Sequence, residues 1–388
     1  NVLVIQAFSA LAAGGAIICS QYIGQKNHEM ANKSARQVLF IITAISVAVT
    51  TLCLIFRIPL LQFIFGKVEA DVMTASRTYF FYTALSFPFI ALYDAGASIF
   101  RSQGNTRGPM TVSVISNVIN IGGNAVLIWV FHMGVAGAAI ATISAQAISG
   151  ILCLIFIIRK MKLLWLKKEN RTIKGDAVKE LLAMGMPTGL QFSITAIGSM
   201  VMQSANNGLG STYVSAFTAA MKIKQFTMCP FDAIATSASV FCSQNLGAGQ
   251  SDRIKKGLRC GIAVGILLIF AGRTLSMLFV GKSAVAVLDA SAKYLRCMGF
   301  FYWSLGILNV ARMVTQGLGY SGRAVFSGVT EMIARTVVCL GFVGTFGFTA
   351  ICFADQTAWI TATCYIFPTC LWCIRKSTRM LTTDNMKK

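Results

Sequence analysis

The residues able to do chemistry in this sequence are ionisable and amide side chains set inside long apolar runs. Asp94 stands in Ala91-Leu92-Tyr93-Asp94-Ala95-Gly96. A carboxylate is costly in hydrocarbon, so it is a functional candidate by default. It either carries a coupling proton or ion, or is held for packing by a neighbouring hydroxyl or amide. Glu331 and Arg335 lie one helical turn apart and can pair. Such a pair orients its own helix, or acts as a switch when a proton or cation takes the place of the arginine. No nucleophile with an adjacent base, metal set or phosphate loop is present, so an enzyme is not expected.

The polar neutral residues fall in stripes. Asn117, Asn120 and Asn124 share one helical face, and Gln191, Thr195, Ser199 and Gln203 recur every fourth residue before Asn206 and Asn207. A polar stripe on a membrane helix must face protein or water, so these residues either line a substrate cleft or hydrogen-bond helices together. Asn309 occupies the place in a second repeat that Asp94 holds in the first. Lys222 and Lys224 stand two apart and point in different directions, and Lys222 is the better candidate for a buried cation paired with an acid. Asp232 after Pro230 is an acid of the same helix, and Arg273 and Arg312 are further cations within apolar runs. His28 and His132 fall in predicted loops. The twelve cysteines are scattered through apolar segments without metal-ligand spacing, so no disulfide, zinc site or other metal is expected.

The elements that position these groups are membrane helices. The chain is 55% hydrophobic and only 12% charged, where a soluble domain carries about 25% charged residues. Runs of about 20 apolar residues, enough to cross the hydrocarbon core, predict eleven spans: 1–23, 37–65, 74–101, 109–131, 134–159, 181–206, 213–241, 257–280, 288–314, 323–345 and 347–374. The net charge of +21 sits in alternate loops. Lys26, Lys33 and Arg36, then Arg101 and Arg107, then Arg159 to Lys179, Arg253 to Arg259, Arg323, and Arg375 to Lys388 lie on one side. Lys67, Arg77, Lys282 and Lys293 are nearly all that the other side holds. The rich side is cytoplasmic by the positive-inside rule, so the C-terminus is cytoplasmic and the charges meet anionic lipids rather than nucleic acid.

The chain repeats itself. Cys19-Ser20-Gln21-Tyr22-Ile23-Gly24 returns 223 positions later as Cys242-Ser243-Gln244-Asn245-Leu246-Gly247, and Ala75-Ser76, Tyr79 and Gly104 return 215 later as Ala290-Ser291, Tyr294 and Gly319. The fold class is therefore all-α, a polytopic membrane protein of two pseudo-symmetric helical bundles. The expected division is an N-terminal lobe at 1–160, a basic cytoplasmic linker at 161–180 and a C-terminal lobe at 181–388. The span at 181–206 has no partner in the first copy, which predicts that a complete form has twelve spans and that this chain lacks the first.

Together, Gly185-Met186-Pro187-Thr188-Gly189-Leu190-Gln191, Ala219-Ala220-Met221-Lys222-Ile223, Gln244-Asn245-Leu246-Gly247-Ala248-Gly249, Gln316-Gly317-Leu318-Gly319 and Ala358-Trp359-Ile360 resemble the multidrug and toxic compound extrusion family. Gln21-Tyr22-Ile23-Gly24 and Arg101-Ser102-Gln103-Gly104-Asn105-Thr106-Arg107 are similar to that family's first half. The resemblance covers the whole chain. It implies two six-helix lobes around a cleft in a cell-membrane monomer, alternating access, and export of cationic, amphipathic small molecules against sodium ions or protons. No other cofactor is implied. Lys224 departs from the acid expected after the Lys-Ile pair, and Gln356 from a proline. A flippase for a lipid-linked precursor, or an inactive truncated transporter, is the alternative.

Overall fold

The computed structural model describes the backbone of residues 2–65, 70–160, 175–278 and 285–386. Most of the expected linker, residues 161–174, lies outside them, as do Lys67 and Lys282, and the Arg273 side chain is outside the described side chains. The described residues form thirteen α-helices and one short π-helical segment, Val126–Val130. In chain order the helices are α1 (Val2–Gly24), α2 (His28–Ile55), α3 (Arg57–Phe65), α4 (Ala70–Ser102), α5 (Arg107–Ala125), α6 (Gly134–Lys160), α7 (Gly175–Asn207), α8 (Ser211–Gly247), α9 (Ser251–Leu278), α10 (Val285–Phe300), α11 (Tyr302–Gly317), α12 (Ser321–Phe346) and α13 (Phe348–Met386). Helix throughout is what an apolar solvent requires, because each backbone N–H and C=O must find its partner within the segment.

Eight helices are long and apolar enough to cross a membrane among the described residues, or nine if α10 and α11, bent by 57° at Phe301, count as one span. The eleven expected spans each fall on a helix or a broken helix, but α8 and α9 are outside this count. The side chains of α9 are described only to Gly265. Two expectations shift. His28, read as a loop residue, opens α2, where Asn27 Oδ1 accepts from Met30 N at 3.0 Å as the N-cap. α13 runs on past residue 374 to Met386, so Arg375, Lys376 and Arg379 ride on a helix.

The repeat is written into the turns. After α1, Asn27 N donates to Tyr22 O at 3.1 Å and Lys26 N to Ile23 O at 3.0 Å; after α8, Gln250 N donates to Asn245 O at 2.8 Å and Gly249 N to Leu246 O at 3.1 Å. This closure needs a left-handed residue, and Lys26 (φ +58°) and Gly249 (φ +70°) supply it. Gly104 and Gly319 stand in the same relation after α4 and α11, with φ of +75° and +89°.

The chain divides into two compact units, Asn1–Met186 and Pro187–Lys388. In the first, α1 packs on α2 and α4, α2 on α4, α4 on α6, and α5 on α6; in the second, α8 packs on α9 and α11, α9 on α11, α11 on α13, and α12 on α13. Each unit thus repeats one packing scheme. The core of the first contains Phe8, Phe87, Ile99, Phe100 and Ile157, with Phe8 edge-on to Phe87 at 6.2 Å. In the second, Tyr302 stacks between Phe231 and Trp359, with ring centroids 5.6 and 6.2 Å away. Large apolar side chains remain on the outside, among them Trp129 at 77% and Leu340 at 73% exposure, as a lipid-facing surface would have them.

Candidate functional site

In the second unit, six side chains from α8, α10, α11, α12 and α13 build a buried ionic network. Asp355 Oδ2 accepts from Lys224 Nζ and from the Tyr294 hydroxyl, each at 2.5 Å, while Arg335 Nε donates to its Oδ1 at 3.0 Å. Arg335 Nη2 also pairs with Glu331 Oε2 at 3.2 Å, and Arg312 Nη2 pairs with Glu331 Oε1. Arg312 Nε donates to Ser327 Oγ at 2.9 Å. The charged side chains are between 0 and 8% exposed. Burying charges is tolerable only with such mutual satisfaction, and removing one partner of a buried pair costs about 3–5 kcal/mol. Both oxygens of each carboxylate are engaged, so the network is a structural hub with no free acceptor in this conformation.

The Glu331–Arg335 pair expected from spacing forms. The choice between the two lysines goes the other way: Lys222 is exposed, and Lys224 is the buried, ion-paired cation, 6% exposed and 5.6 Å above the Trp359 ring. The i, i+2 spacing said that only one could point inward, and burial of Ala216, Phe217 and Ala220 on the same helix decides which. Asp355 was missed, although a single acid after Ala350-Ile351-Cys352-Phe353-Ala354 gives the same signal as Asp94.

The hub reaches the α7 stripe at one end. The amides of Gln191 and Gln316 meet at 2.8 Å, and in the opposite amide orientation the Gln191 oxygen faces Arg312 at 3.3 Å. Gln191 is 1% exposed, and a Cβ at Gly328 would come within 3.1 Å of it, so here the stripe packs against α12. Thr195 and Ser199 turn their hydroxyls to backbone carbonyls one turn back, Thr195 O accepts from Arg335 Nη1 at 3.4 Å, and Gln203 bonds Asn207. In the first unit, Asn120 donates to Thr142 at 3.4 Å and Asn124 to Asn120 at 3.1 Å, while exposed Asn117 bonds the Ser113 carbonyl.

Two carboxylates differ from those of the hub. Asp94, half-buried on α4, has Ser9 of α1 as its polar neighbour, yet its Oδ2 is buried without a hydrogen-bond partner among the described residues. Asp232 lies exposed in the middle of α8, accepting from Asn309 Nδ2 at 3.2 Å. It belongs to an accessible stripe that sequence reading passed over. Ser211, Ser215, Thr218, Lys222, Gln225, Cys229 and Asp232 are all exposed, spaced alternately by four and three residues, and half-buried Thr236 continues them. One face of α8 is therefore polar from Ser211 to Thr236, which keeps α8 below the apolarity of a lipid-facing span. Exposed polar side chains at such depth need water.

The MatE family model matches residues 1–126 and 187–341. The chain belongs to the MatE family. A MatE relative of Bacillus subtilis, the probable multidrug resistance protein YoeA, is 25% identical over 351 residues, 86% of this chain and 73% of its own length. The probable multidrug resistance protein YpnP of the same organism is 26% identical over 262 residues, 65% of this chain and 58% of its own length. A crystal structure of a MATE protein in the bent conformation superposes with a TM-score of 0.89 at 16% identity, covering 98% of this chain and 86% of that one. The MatE chain is thus a multi-pass membrane transporter by family, and the two-bundle fold is shared with solved relatives.

Proposed function

We propose that this MatE chain is a secondary active efflux transporter that exports organic cations or drugs by alternating access, in exchange for sodium ions or protons. The observation that carries the coupling is the buried, unpartnered Asp94 Oδ2. A lone acceptor in an apolar bundle gains a great deal from a proton or small cation, and a ligand shifts a conformational equilibrium only by binding one state better. Glu331 and Arg335 serve better as hub, since a coupling ion at Glu331 would have to displace two guanidinium groups. Within the second unit, the α8 stripe with Lys222 and Asp232 is the stronger candidate for substrate contact, with half-buried Ser199 and Gln203 next in rank; in the first unit, exposed Asn117 is the candidate. The names of YoeA and YpnP support drugs as the substrate class. The hub cations are all committed to internal acids, which weighs against a phosphate-binding flippase.

The test is ethidium transport in proteoliposomes under separately imposed sodium and proton gradients. Asp94→Asn is expected to fold normally and lose gradient-driven flux, leaving the passive leak. Retention of wild-type coupling in D94N would remove Asp94 from the mechanism.

A further inference from the structure

The two shifts that relate the copies carry a second consequence. Applying 223 to α1 takes Ser9 to Asp232, and applying 215 to α4 takes Asp94 to Asn309. These four residues are neighbours in matching pairs. In the first unit, Ser9 on α1 meets Asp94 on α4; in the second, Asp232 on α8 meets Asn309 on α11. Each helix pair holds one carboxylate and one neutral hydrogen-bonding partner, and the carboxylate has changed helices between copies.

We propose that Asp232 is a second site for a monovalent cation, either a proton or a sodium ion, equivalent to Asp94 and loaded in the same transport cycle. The proposal rests on the coupling reading of Asp94. The geometry favours a loadable group: Asp232 is exposed in mid-helix, where lipid is an unacceptable neighbour, and Asn309 reaches only Oδ1. A cation at Asp232 meets the Asn309 amide, whose oxygen is a second ligand once the side chain turns. Arg312, one turn beyond Asn309 on α11, is the charged group acting on Asp232. It is committed to Glu331 and Ser327, so it modulates the site without closing it. Around Asp94 the corresponding influences are Arg101 on its own helix, Tyr93 beside it and Cys153 of α6. When a proton is the cation, the carboxylate takes it up as a carboxylic acid on one side of the membrane and returns it on the other.

The experiment uses the full chain in proteoliposomes with ethidium as the probe. The cation-to-ethidium ratio is read from the sodium or proton gradient that just balances a fixed ethidium gradient. Asp232→Asn is expected to halve the ratio, whereas Asp94→Asn is expected to abolish gradient-driven flux. The transposed variant D232S/N309D, which gives the second unit the arrangement of the first, is expected to keep the wild-type ratio. A folded D232N with an unchanged ratio overturns the proposal, while a simultaneous effect of D94N leaves the coupling reading standing; no effect of either variant removes both. Should D232N fail to fold, the transposed variant decides alone, and a halved ratio in it overturns the proposal.

Discussion

Lys224 Nζ and the Tyr294 hydroxyl converge on one oxygen of Asp355, each at 2.5 Å, so a single buried carboxylate ties α8, α10 and, through Arg335, α12 to α13. Lys224→Ala or Asp355→Asn is expected to destabilise the protein by about 3–5 kcal/mol, because each strands a buried charge. Replacing both by apolar residues of similar volume, as in K224M/D355L, is expected to recover part of that loss. Denaturant unfolding in detergent, run as a double-mutant cycle, measures the coupling.

Asp94 predicts the reverse sign. Its Oδ2 has no partner to lose, so Asp94→Asn is expected to leave stability unchanged or raise it by about 1 kcal/mol, while gradient-driven ethidium flux disappears. Unfolding and flux measured on one preparation separate the two effects.

Two glycines on the α4–α6 seam differ in what they face. A Cβ at Gly150 would lie 2.8 Å from the backbone oxygen of Phe89, and one at Gly96 would lie 2.5 Å from Cys153 Sγ. Backbone cannot step aside. Gly150→Ala is expected to cost about 1–3 kcal/mol with no single-residue rescue, whereas Gly96→Ala is expected to be largely restored by Cys153→Ala, the remaining neighbour being the flexible end of Ile157, whose Cδ1 lies 2.9 Å away. Thermal unfolding of the three single and two double variants with C153A checks the distinction.

The α8 stripe predicts a labelling pattern. In a cysteine-depleted background, single cysteines at positions 215, 218, 222, 225, 229 and 232 are expected to react with a charged, membrane-impermeant thiol reagent. Cysteines at positions 216, 220 and 235, where buried Ala216, Ala220 and Ala235 stand, are expected to stay protected. Protection of the stripe cysteines as well would show that the stripe does not face water.

The fold was legible because apolar length and repeat both act locally. Twenty apolar residues must become a helix in lipid, and the closure around Gly24 to Lys26 uses the same backbone geometry as that around Gly247 to Gly249. The site was only partly legible. Spacing found the Glu331–Arg335 pair, since one helical turn fixes the distance. It could not find Lys224 with Asp355, which are 131 residues apart and meet only through tertiary packing, nor rank Lys222 against Lys224. The α7 stripe was read at a period of four, but Gln191 is buried against α12; the accessible stripe on α8 keeps the alternating four-and-three spacing of a straight helix face and includes a cysteine, which hid it. The repeat alone relates Asn309 to Asp94, but only tertiary packing brings Asp232 against Asn309 and Ser9 beside Asp94.

The hub also sets a timetable for biogenesis. Lys224 leaves the ribosome 131 residues ahead of Asp355, and Arg312 and Arg335 also precede that acid. Until α13 arrives, Lys224 lacks its acid and Arg335 has only Glu331, so the nascent second unit carries buried-site charge that lipid disfavours. Truncations that stop short of Asp355 are therefore expected to leave Lys224 without its acid and to insert stably in lower yield than the full chain.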